Sequence, residues 1–222
     1  MTATPAPTPV STRKLAFGLG CATVAVLAAM VGVSLATGAT QEAHEHYHLP
    51  QEYAAGLLEH AGALRLVFAL DIGFIALYTA FFAALARYLS ARNRPFAMLG
   101  LILIVATAGL DLIEDHHILA MLDAAQYGVL PSAGEIGFQV TESATKFSCS
   151  YIGLALLGLA IPRVNLRGWL LSGFLVVGTL ATGVLGYAAP PSWQAQLDSG
   201  RWIGFAIGFA LALAWLRSER DD

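Results

Sequence analysis

The run PFAMLGLILIVATAGL, residues 95–110, crosses sixteen positions without a charge. A backbone in such a run has no charged side chain to shield it from apolar surroundings, so it must satisfy its own hydrogen bonds. In lipid a helix does this. Similar runs recur along the chain. Six stretches, roughly 15–37, 62–86, 96–118, 141–162, 168–189 and 199–216, approach the ~20 residues that cross a hydrocarbon core as helix. Composition agrees: 57% of the 222 residues are hydrophobic and 12% charged, against about 25% charged in ordinary soluble domains. The expected fold is all-α, a polytopic six-transmembrane-helix bundle over residues 15–218. The Pro/Thr-rich residues 1–14 are expected as a disordered tail and 219–222 as a short polar one.

Basic residues set the expected orientation. Arg13, Lys14, Arg87, Arg92, Arg94, Arg163, Arg167, Arg217 and Arg220 fall on one side of the six spans. The opposite connections, 38–61, 119–140 and 190–198, hold no Lys or Arg. The positive-inside rule then places both termini in the cytoplasm of a multi-pass protein of the cell (inner) membrane. The bilayer is its first partner. No basic footprint for nucleic acid and no phosphate-binding glycine loop is present. Cys21 and Cys149 form no metal or redox motif.

Three basic residues, Arg65, Lys146 and Arg201, fall toward the outer ends of helices, where the rule disfavours them. Counting outward from the arginine at the inner end of each helix, Asp71 is 16 residues away, Asp111 17, Lys146 17 and Arg201 16. At 1.5 Å per residue all four lie about 24–26 Å from those anchors, near the outer edge of the hydrocarbon. Asp111, Glu114 and Asp115 share a face at i, i+3 and i+4. Tyr78 shares a face with Asp71, seven residues away. Intramembrane carboxylates usually face a bundle interior or a wet cavity, and they usually mark a site.

The expected site is therefore an outward-facing charged pocket of Asp71, Asp111, Glu114, Asp115, Lys146, Arg201, Tyr78 and Arg65. It would bind or transport a small polar solute, ion or proton. One alternative is an enzyme at the outer leaflet, with Asp111, Glu114 or Asp115 as acid or base and His116 or His117 assisting. Another is a structural or accessory subunit whose charges only lock helices together. All six histidines fall on the outer side. His44, His46 and His48 alternate in HEHYH and would point one way in an extended strand. With His116 and His117 they form a candidate zinc or copper set.

Overall fold

The computed structural model describes residues 9–219, and every element formed among them is helical. The order is α1 (Pro9–Thr37), a 3-10 turn (Glu42–His44), α2 (Pro50–Glu59), α3 (Ala61–Gln126) and α4 (Ala133–Ala160). Then come α5 (Leu166–Gly173), a π-helical turn (Phe174–Gly178), α6 (Thr179–Ala188), a second 3-10 turn (Pro191–Trp193) and α7 (Gln194–Ser218). Four helices are long and apolar enough to cross a membrane: Ser11–Thr37, Ala61–Gln126, Leu166–Ala188 and Gln196–Ser218. The last but one runs through α5, the π turn and α6.

The elements depart from the sequence expectation at several ends. Residues 1–8 of the expected tail lie outside the described residues, but 9–14 are already helix. Proline is well suited to a first helical turn, where its missing N–H has no intrahelical partner to lose. Arg13 adds a tertiary tie, donating through Nη1 to the carbonyls of Leu216, at 2.9 Å, and Glu219. Glu219 is not a loose polar end either. Its Oε2 accepts from Tyr88 Oη at 3.1 Å and from Arg92 Nη1 at 3.0 Å. The connections 38–61 and 119–140 are largely helical too, because α2 fills much of the first and α3 continues to Gln126.

α3 is two helices in one run. Asn93 has φ −146° and ψ 78°, well outside helical values, and Pro95 follows. Pro95 has no N–H to donate back to the preceding turn and falls in the first turn of the second helix, with Asn93 in the N-cap position before it. That chemistry breaks the run where the hydrophobic pattern also breaks, at ARNRP.

The chain divides into two compact units. One comprises residues up to Val24, Leu77–Ile104 and the chain from Tyr151 onward. Small residues permit close helix packing there. A Cβ on Gly100 would fall 2.9 Å from the Gly153 carbonyl oxygen, and one on Gly183 2.7 Å from the Tyr151 ring. In lipid, such close approach supplies the van der Waals contact that holds helices together. The other unit comprises Ala25–Ala76 and Val105–Ser150. Its apolar core is Ala39, Tyr53, Leu57, Leu64, Phe68, Ile118, Met121, Leu122 and Ile136. Ile118, Met121 and Leu122 explain why α3 outlasts its expected span: its apolar face stays buried past residue 118. The candidate site lies in this second unit.

Candidate functional site

The site is built on Glu114. On α3 it stands one turn from Asp111 and beside Asp115, and it is fully buried. Its two carboxylate oxygens accept four hydrogen bonds. Oε1 takes Gln139 Nε2, at 3.1 Å, and Ser143 Oγ. Oε2 takes Gln41 Nε2, at 3.0 Å, and Lys146 Nζ. Gln139, Ser143 and Lys146 recur at i, i+4 and i+7 on α4, so a single face of that helix supplies three of the donors.

Lys146 is the centre of positive charge. Besides Glu114, its ammonium meets Asp111 Oδ1 at 3.2 Å and Glu45 Oε1 at 3.4 Å. It also lies 4.5 Å from the centre of the Phe147 ring. The apolar stem is buried with the charge, so the side chain does not reach out to water.

Asp115 accepts from Gln41 Nε2 at 3.2 Å through Oδ1, whereas its Oδ2, also buried, has no donor. Asp71 lies within hydrogen-bonding reach of Asp115. Two ionised carboxylates can only accept, so a hydrogen bond between them requires a proton on one. The assembly thus gathers five carboxyl groups (Glu45, Asp71, Asp111, Glu114 and Asp115) around one lysine. All but Asp111 are buried.

The chain resembles nothing it was compared with. No protein-family model, curated protein or solved structure matches it.

Of the residues expected at the site, Asp71, Asp111, Glu114, Asp115 and Lys146 come together. Arg201 and Tyr78 belong to the other unit. There Arg201 pairs with Asp198 on its own helix, and Tyr78 is buried against Phe82. Arg65 is in the same unit as the cluster but pairs with Asp123, at a half-exposed position, and bonds Gln126 at 3.2 Å. Glu45, Gln41, Gln139 and Ser143 are additional members.

The histidines disperse. HEHYH is not a strand: His44 ends a 3-10 turn, and the chain bends after it. His44 is buried edge-on against the Tyr53 ring, 5.3 Å between centres, and Tyr53 Oη donates to the His44 carbonyl at 3.1 Å. Burial pushes the His44 imidazole down to about 4, against the opposing pull of the Thr40 backbone and Glu45. Burial likewise pushes the Tyr53 phenol up. His48 Nε2 lies 3.1 Å from the Ala43 carbonyl, and His46 is partly exposed. His116 is exposed, with Nδ1 2.7 Å from the Leu112 carbonyl of its own helix, away from the carboxylates beside it in sequence. His117 Nδ1 lies 2.8 Å from Glu142 Oε2. Among the described residues, no three His, Cys, Asp or Glu side chains group as ligands for a zinc, copper or other metal ion.

Proposed function

We propose that this chain is a multi-pass protein of the cell membrane that takes up protons at an outer-side carboxylate cluster and transports them. The observation that carries the reading is the Asp71–Asp115 pair. Both side chains are buried, and one Asp115 oxygen lacks a donor that a proton would supply. Like charges this close cannot both stay ionised cheaply. A proton is the smallest ligand that resolves the conflict. Flux of protons into proteoliposomes, followed with a trapped pH dye, is expected to fall to the protein-free level in Asp71→Asn and in Asp115→Asn. Asp123→Asn, at the exposed Arg65 pair, should conduct as the parent does. Equal flux in all four proteins would sink the reading.

The topology proposed with it has six spans and both termini in the cytoplasm. The break at Asn93 supports reading α3 as two spans, and the 28 residues of α4 are enough for another. The nine basic residues grouped on one side support the orientation. In a background lacking Cys21 and Cys149, a single cysteine at Ala43 or Ala133 should react with an impermeant thiol reagent on intact cells. One at Ala91 should react only after permeabilisation. The reverse pattern would invert the arrangement.

A second reading has its own support. The four hydrogen bonds on Glu114 are what a purely structural lock would use, and buried polar networks do specify packing. That reading expects no flux from the parent protein and a loss of stability in the same aspartate variants.

A further inference from the structure

His117 joins two carboxylates of different exposure. Its Nε2 lies 3.9 Å from Glu135 Oε1, whose side chain is 43% exposed, and its Nδ1 lies 2.8 Å from Glu142 Oε2, whose side chain is 9% exposed. The imidazole between them is itself 19% exposed. The exposed partner is held in place. Glu135 caps the start of α4: its backbone N–H donates to Ser132 Oγ at 3.1 Å, and its Oε2 accepts from the Ser132 N–H at 3.3 Å. That reciprocal arrangement fixes the first turn of the helix and leaves Oε1 for His117. The Phe138 ring packs on the imidazole at 5.8 Å between centres, with the two planes 62° apart.

The direction of the series matters. Glu135, Gln139, Glu142 and Lys146 fall on one face of α4 at spacings of three and four residues. Following that face leads from the water-exposed Glu135 to the lysine and glutamine that hold Glu114. Histidine is the side chain whose charge changes most readily near neutral pH, and its two nitrogens can take and give a proton on opposite sides of the ring.

We infer that Glu135, His117 and Glu142 form the proton inlet to the buried carboxylate cluster. The inference rests on reading that cluster as one that holds a proton. In the step, Nε2 takes a proton from water that links it to Glu135, because 3.9 Å is too long for a direct hydrogen bond. The imidazolium then releases its Nδ1 proton to Glu142 Oε2. His117 is left neutral with its proton on Nε2, and reorientation of the ring readies it for another transfer. No bond other than N–H and O–H is made or broken.

The test reads proton access rather than transport. Reconstituted protein is moved from H2O to D2O, and the C=O stretch of its protonated buried carboxyls is followed by infrared spectroscopy. His117→Gln keeps a polar group beside Glu142 but cannot relay a proton. It should slow the exchange of that band at least about tenfold, in keeping with what one positioned acid–base group contributes. His117→Ala should be slow as well, and added imidazole should restore its rate. Exchange as fast in both variants as in the parent overturns the inlet, and so does a parent with no protonated-carboxyl band. Slowed exchange in a protein without proton flux would keep the inlet and remove the transport reading.

Discussion

Replacing Lys146 with methionine is expected to cost the folded protein about 3–5 kcal/mol, the range found when one partner of a buried ion pair is removed. Methionine fills most of the volume of the stem, so the loss would be electrostatic rather than a packing defect. Three carboxylates, from Glu45, Asp111 and Glu114, would lose their shared counter-charge at once. Asp111→Asn should cost less, because Asp111 is one of three acids on the lysine and its side chain keeps some contact with solvent. The informative measurement is the cycle with Glu114→Gln. Glutamine in place of Glu114 removes a charge that no longer has a partner in the lysine variant. The double variant should therefore be more stable than the sum of the two single losses implies, by about 0.5–3 kcal/mol. Chemical unfolding in detergent micelles gives each value. Strict additivity would mean that Lys146 is held by its other partners and that Glu114 contributes nothing to it.

Acid should loosen the 3-10 turn Glu42–His44 through His44. In the unfolded chain this histidine takes a proton near its ordinary value of 6.5, whereas in the folded chain burial holds it off until about 4. Between those values the unfolded state binds more protons, so stability must fall as pH falls. The contribution is complete above about pH 6.5 and is lost progressively down to about pH 4. Over that window it amounts to roughly 3 kcal/mol, at about 1.4 kcal/mol for each unit. The local consequence follows from the neighbours. His44 adjoins Glu45, which meets Lys146, and follows Gln41, which meets Glu114 and Asp115. A protonated His44 would push out the turn that carries both. Hydrogen exchange over residues 41–48, corrected for its intrinsic pH dependence, should accelerate between pH 7 and pH 5 in the parent. The acceleration should be much smaller in His44→Gln. Identical pH dependence in both proteins would assign the effect to other groups.

Much of the cluster could be read before any coordinates, and the reason is geometric. A helix converts residue count into height, so arginines at one end of each span placed Asp71, Asp111 and Lys146 at a common level. The i, i+3, i+4 rule added Glu114 and Asp115. Height says nothing about the direction in which a side chain points, which is why Arg201 entered the expected set and then paired with Asp198 on its own helix. That partner was visible three residues away. Gln139 and Ser143 were also within reach, since both share the Lys146 face of α4. Gln41 and Glu45 were not. They sit in the connection between α1 and α2, which has no periodicity, so neither path nor facing follows from sequence there. The break in α3 was legible in ARNRP because proline chemistry is local. The extension of α3 to Gln126 was not, because it depends on core partners that sequence does not pair.

The way the two units interleave along the chain has a bearing on biogenesis. Unit two draws on residues 25–76 and 105–150 and includes no residue beyond Ser150. Unit one needs a segment from before residue 25, another from the middle and everything from Tyr151 onward. Synthesis runs from the N-terminus, and compact pieces generally form in that order. Every side chain of the charged cluster, from Gln41 to Lys146, therefore leaves the ribosome before α5, α6 and α7 exist. The lysine and its carboxylates can neutralise one another while the chain is still being translated, which spares the insertion machinery from holding five lone acids against lipid until the last helices arrive.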